Sequence, residues 1–387
     1  MRLLRDLSAS AVIAGFVTVL VGYTSSAVIV FQAARAAGAG AAEVASWMWA
    51  LGVGMALTCI GLSLRWRVPV VTAWSTPGAA LLATSAAGLP MSAAVGAFLV
   101  SGALMVVAGA TGWFERSISR IPVPLASGML AGVLLRFGLD VFVAMKTQLG
   151  LALAMFAAYL VGRRLWPRYA VIVVLALGTA IAGWLGLLSL GEVRLELARP
   201  VFTAPTFTLG ALVGVAVPLF VVTMASQNVP GVAVLRASGY GETPISPIVT
   251  WTGVTTLALA PFGGYAFNLA AITAALCMGR EAHEDPKRRY VAAVAAGAFY
   301  GLLGLFGATV GALFAAFPKE LVMAVAGLAL FNTIASGLTA ALKDDAQREP
   351  ALVTFLVTAS GVTLFGVGSA FWGLAAGVTA LVVLARR

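Results

Sequence analysis

From residue 9 to residue 385 the chain alternates apolar runs of about twenty residues with short clusters of Arg, Lys, Pro and other polar residues. A run of that length is what a helix needs to cross a bilayer. Fourteen segments are predicted, at 9–31, 43–64, 69–87, 91–113, 122–142, 148–163, 169–190, 207–235, 246–260, 261–279, 290–316, 319–340, 350–366 and 368–385. Charged residues are 10% of the sequence and hydrophobic ones 61%, where soluble domains carry about a quarter charge. The fold class expected is therefore an all-α polytopic membrane protein. Met1 to Ser10 reads as a basic leader running directly into the first span, without the layout of a cleavable signal peptide.

The net charge of +10 does not point to nucleic acid, because the cations lie at span ends, where they set topology and meet anionic lipid. With a cytoplasmic N-terminus, 18 of the Lys and Arg residues fall inside and five (Arg35, Lys146, Arg194, Arg199, Lys319) outside, with Arg136 within a span. That asymmetry places both termini in the cytoplasm and favours an even number of spans. Cys59 and Cys277 sit in apolar runs and read as buried small side chains rather than a disulfide. His283, the only histidine, lies in the polar loop GREAHEDPKRRY, so no His-based metal site can be assembled. No P-loop, nucleophile elbow, zinc-ligand spacing or dinucleotide motif is present. An enzyme, a cofactor and ATP-driven transport within this chain are not expected.

Internal similarity comes next. SSAVIVFQAARAAG (25–38) matches SQNVPGVAVLRASG (226–239) at an offset of 201, and PVVTAWSTPGAALLA (69–83) matches PFGGYAFNLAAITAA (261–275) at 192. Ala131-Gly132 and Ala326-Gly327 form a weaker pair at 195. The order is kept at nearly constant spacing, so residues 1–200 and 201–387 are read as two repeats. Seven spans in each would place the second upside down relative to the first. Such inverted repeats are a construction principle of secondary transporters, with the site near the midplane where the halves meet.

The matched third and tenth segments are broken. Pro69 to Ser75 and Pro261 to Phe267 have the composition of extended chain, after which Thr76-Pro77 and Asn268 each supply a helix start. Non-helical backbone at that depth must be buried in protein or line a cavity. Two helix N-termini converging near the midplane would make an anion site. The predicted ligand is a small anion or a strong hydrogen-bond acceptor, held at Thr76, Pro77 and Gly78 and at Asn268, Leu269 and Ala270.

TMASQNVPG (223–231) sets Gln227 and Asn228 in an apolar span, and its repeat partner YTSSA adds Ser25 and Ser26 as candidates. Buried amides need partners, which interhelical bonds or a site could supply. Tyr265 and Trp74 could wall an apolar ligand body or simply pack. Arg136 and Asp140 in LLRFGLD are spaced to pair on one helix face, and Asp140 is the proton-coupling candidate.

The three stretches PFGGYAFNLAAITAALCMG, SQNVPGVAVLRASGY and TAWSTPGAALL resemble the BenE family of benzoate/proton symporters, and the resemblance runs essentially the whole length. The family is related to nucleobase/ascorbate permeases and to bicarbonate and sulfate transporters. The resemblance implies seven plus seven inverted segments, the third and tenth each a short strand and a half-helix. It also implies a core domain (segments 1–4 and 8–11) moving against a gate domain (5–7 and 12–14). Where uracil-type relatives carry membrane-embedded glutamates, the matching positions here are Gln227 and Phe267, a neutral site that suits a carboxylate and removes the obvious proton carrier. The implied function is import of a small aromatic carboxylate, benzoate, with a proton, in the bacterial inner membrane. A nucleobase or inorganic-anion transporter and an anion channel remain as alternatives, and a homo-oligomer stays open.

Overall fold

The computed structural model of the chain describes residues 6–117, 123–166, 170–270, 273–279, 282–362, 364 and 369–384. It is helical almost throughout. In chain order the elements are α1 (Ala9–Ala36), α2 (Ala41–Trp66), β1 (Thr72–Trp74), α3 (Thr76–Ser85), α4 (Met91–Ala110), α5 (Trp113–Ser117), α6 (Val123–Ala144), α7 (Leu149–Leu165) and α8 (Ala170–Trp184). A composite helix α9 (209–237) follows, then α10 (Ile245–Leu259), β2 (Phe267–Leu269), α11 (Ala274–Met278), α12 (Tyr290–Leu305), α13 (Gly307–Ala315), α14 (Lys319–Leu342), α15 (Arg348–Ala359) and α16 (Ser369–Leu384).

Among the described residues six helices are long and apolar enough to cross a membrane, and up to eight if each bent pair is one span. One bent pair is α1, which turns by 45° between Tyr23 and Ser26. There Ser26 Oγ donates back to Gly22 O at 2.7 Å, a bond of the kind that bends helices. The other lies in the predicted segment 290–316, which consists of α12 and α13 set 71° apart. A Cβ at Gly307, where α13 begins, would press on the Met48 side chain and the Ala45 carbonyl, so glycine there admits a close approach to α2.

Helix packing falls into two sets. α2 lies along α12, α4 along α10, and α1 against α3 and α12, with α2 and α10 also against the strand pair. α6 packs on α14 and α15, α7 on α8, and α15 on α16. Small residues set the tightest contacts, as expected where helices are drawn together by dispersion rather than by water. A Cβ on Gly52 would meet the backbone of Gly304, and Cβ atoms on Gly128 and Gly132 would meet the carbonyls of Ala351 and Phe355.

α9 contains two π turns, Leu212–Ala216 and Met224–Asn228. Each ends two residues before a proline, Pro218 and Pro230. Proline has no N–H and its ring displaces the carbonyl four residues back, so the bonding register slips just ahead of it. π turns are frequent at functional sites. The second of these carries Gln227 and Asn228.

Candidate functional site

β1 and β2 pair antiparallel, with Thr72 opposite Leu269, Ala73 opposite Asn268 and Trp74 opposite Phe267. Ala270 N–H continues the ladder to Val71 O at 3.0 Å. Alternate residues of such a ladder turn their N–H outward, and in an apolar interior each outward N–H needs a partner. Helix side chains provide them. On one edge Val70 N–H donates to Ser63 Oγ at 3.1 Å and Thr72 N–H to Cys59 Sγ at 3.2 Å. On the other, Leu269 N–H donates to Asn228 Oδ1 at 3.0 Å and Phe267 N–H to Thr256 Oγ1 at 3.2 Å. The sequence reading of Cys59 as a small buried side chain missed this acceptor role.

Glycines bring the helices close enough. A side chain at Gly54 of α2 would enter the Phe267 ring, and one at Gly231 of α9 would meet Leu269 Cβ. Gly263, at φ +93°, turns the chain out of α10 in a conformation that side chains rarely adopt, with the Trp47 ring against it.

The two broken segments start their helices differently from the expectation. The cap of α3 is Ser75 and not Thr76: Ser75 Oγ accepts from Gly78 N–H at 3.0 Å and from Thr223 Oγ1 at 3.1 Å. Thr76 and Pro77 are the first two helical residues, where a proline's missing N–H costs nothing. Asn268 caps no helix. It lies within β2, and α11 begins only at Ala274, five residues long and without a side-chain cap. Opposite Ala73 the Asn268 backbone belongs to the ladder, and its Nδ2 donates to Ala266 O at 2.9 Å. Pro261 likewise is not extended but sits in a 3-10 turn, Ala260–Phe262.

These contacts occupy most of the backbone donors expected to face a ligand. Gly78, Leu269 and Ala270 N–H groups have protein partners, and Pro77 has no N–H. Thr76, at the first position of α3, has no intrahelical acceptor for its N–H and a partly exposed side chain.

Trp74 Nε1 donates to Ser26 Oγ at 2.9 Å, and the Trp74 ring meets Tyr23 edge-on at 4.8 Å. Ser26 and Trp74 are thereby brought together. Tyr265 belongs to a separate cluster with Trp47 and Phe98, both at 5.7 Å, so the two proposed aromatic walls do not touch one another. Asn228 is fully buried, with Oδ1 on Leu269 and Nδ2 toward Met224 Sδ at 3.2 Å. Its carbonyl end is structural. Gln227 is partly exposed beside it, and the Ser25 side chain lies outside the described residues.

Three buried polar atoms of this region have no protein hydrogen-bond partner: Tyr23 Oη, Tyr265 Oη and Asn268 Oδ1. Unmatched buried polar atoms are uncommon in folded proteins. Sequence reasoning missed Tyr23, although it opens the quoted stretch YTSSA, and it missed Ser75 and Thr223. Asp140 lies on α6, half-buried, and among the described residues no ion pair joins it to exposed Arg136. Among the described residues no group of three or more His, Cys, Asp or Glu could hold a metal ion.

A helical membrane protein with two broken segments paired at its centre, among neutral polar side chains, has the layout of a membrane transporter. The solved structures it resembles share that fold. SLC26A9 superposes with a TM-score of 0.60 at 13% identity, covering 96% of this chain and 65% of that one. The transmembrane domain of the cyanobacterial bicarbonate transporter BicA gives 0.57 at 13% identity, covering 96% and 97%. The family described as benzoate membrane transport protein, BenE, matches residues 5–383. Two relatives match along almost their whole length. Inner membrane protein YdcO of Escherichia coli (strain K12) is 48% identical, over 96% of this chain and 95% of its own. The benzoate membrane transport protein of Acinetobacter baylyi (strain ATCC 33305 / BD413 / ADP1) is 42% identical, over 99% and 97%. The chain belongs to the BenE family and is an integral membrane transporter, not an enzyme.

Proposed function

We propose that this protein is a secondary transporter that imports a small aromatic carboxylate, benzoate, with a proton, across the bacterial inner membrane. The observation that carries the reading is the 42% identity, over 99% of the chain, to a protein named for benzoate transport. The neutral site agrees with it, since facing carboxylates would repel an anionic substrate.

In this proposal fourteen segments form two inverted repeats, 1–200 and 201–387, with both termini cytoplasmic. Segments 1–4 and 8–11 are the core and 5–7 and 12–14 the gate, and movement between them exposes the site alternately. The two sets of packed helices support that division. The carboxylate is held at the start of α3, by Thr76 N–H with Ser26 and Gln227 nearby, and Trp74 and Tyr23 contact the ring.

The test is a ligand panel on detergent-purified protein, read as the shift in unfolding temperature, because a ligand bound only by the native state must raise it. A saturable shift with benzoate alone is expected. A shift with uracil, bicarbonate or sulfate instead would overturn the substrate while keeping the fold. Asp140 is the proposed protein-side proton carrier. Asp140→Asn should abolish pH-driven accumulation while sparing benzoate exchange, and unchanged accumulation would remove it from the mechanism.

A further inference from the structure

A cavity of about 200 Å³ lies away from the strand pair, between the C-terminal end of α1 and the N-terminal end of α14. Its lining combines Phe31, Phe317 and Met323 with Gln32, Arg35 and Lys319. A dry cavity of about 150 Å³ is enough to take up benzene, so this one has room for a single ring bearing a carboxylate. No acidic side chain lines it. Among the described residues neither Arg35 nor Lys319 forms an ion pair.

We infer that this cavity is a capture subsite for the aromatic carboxylate, separate from the central site. Two cations without an acidic neighbour in the lining attract an anion, and the apolar wall rewards a ligand with an apolar body. An inorganic anion would leave that wall unused, and a neutral nucleobase would leave the cations unmatched. The subsite rests on the transporter reading and extends it. Arg35 lies nine residues beyond Ser26 on the same helix, about 13 Å along its axis, and Ser26 holds Trp74 at the central site. The cavity is thus a first stop on a path along α1. Charges at such a mouth act chiefly on the rate of encounter.

The experiment measures initial uptake of radiolabelled benzoate by proteoliposomes of the full-length protein, at alkaline pH, where leakage of the neutral acid is slowest. Arg35→Gln and Lys319→Gln should each raise KM about threefold, and the double variant about tenfold, with Vmax little changed. Added salt should raise the wild-type KM and leave that of the double variant nearly flat. Both side chains are exposed, so unfolding temperatures should stay at the wild-type value. If the double variant does not fold, the single variants and the salt dependence decide. A wild-type KM in the folded variants, or a fall in Vmax alone, overturns the subsite and spares the transporter reading. Absence of saturable benzoate uptake and binding by the wild-type protein overturns both.

Discussion

The two broken segments meet in one ladder, yet they are secured in different ways. The first is held largely by its own half of the chain: its outward amides go to Ser63 and Cys59 of the preceding helix, and β1 leads straight into a ten-residue helix whose cap, Ser75, directly follows the strand. The second depends on its neighbours. β2 is pinned by Asn228 of α9 and Thr256 of α10, and the helix that follows has five residues and no side-chain cap. A helix dipole acts through its terminal turn and needs a helix behind it. α3 can therefore stabilise a negative charge, and α11 cannot do so comparably. Sequence equivalence between two segments does not guarantee equivalent chemistry, and the longer, capped helix start belongs to the first half of the chain.

That contrast can be broken at several points. The largest effect is expected for Gly54→Val, which drives a side chain into the Phe267 ring and Leu259. Folded, monodisperse protein should be lost on size exclusion. Gly61→Val on the same helix, where nothing lies within 4 Å, should purify normally; equal yields would mean that β2 does not need α2 so close. Asn228→Leu strands the Leu269 N–H and should cost about 2–3 kcal/mol, seen as a lowered unfolding temperature together with loss of benzoate binding. Retention of stability would show that the second segment is not held from outside. Smallest is the pair of cap substitutions. Ser75→Ala should cost about 1 kcal/mol, whereas Thr273→Ala, with no cap bond to lose, should stay within about 0.5 kcal/mol. Matching losses would erase the asymmetry.

Much of this was legible in the sequence. Apolar run length located the helices, and the Pro, Gly and Asn content of 69–75 and 261–268 marked the breaks. The polar stretch 226–228 pointed to the turn that grips β2. What failed was alignment between the halves. Matching Pro69 to Pro261 sets Thr76 against Asn268, an offset of 192. The strands themselves are offset by 195, as are the weaker pair Ala131-Gly132 and Ala326-Gly327. Three residues of slip moved the supposed cap onto a strand residue, since a shared proline is a weak landmark when one sits in loop and the other in a 3-10 turn. The pairing of β1 with β2 could not be read locally either, because it joins residues nearly half a chain apart. Nor could the roles of Cys59 and Thr256, whose partners are backbone groups of distant segments.

The side chains that close both edges of the ladder have a consequence for how this molecule opens. A three-residue strand at a chain break would ordinarily surrender its amide protons to solvent early. Here, freeing the amides of Thr72, Phe267 and Leu269 requires α2, α9 and α10 to release Cys59, Thr256 and Asn228 as well. Local opening is tied to a far larger cooperative unit. In deuterium exchange the shortest regular elements of the chain should then be among its slowest, and the centre of the transporter should behave as its most rigid part.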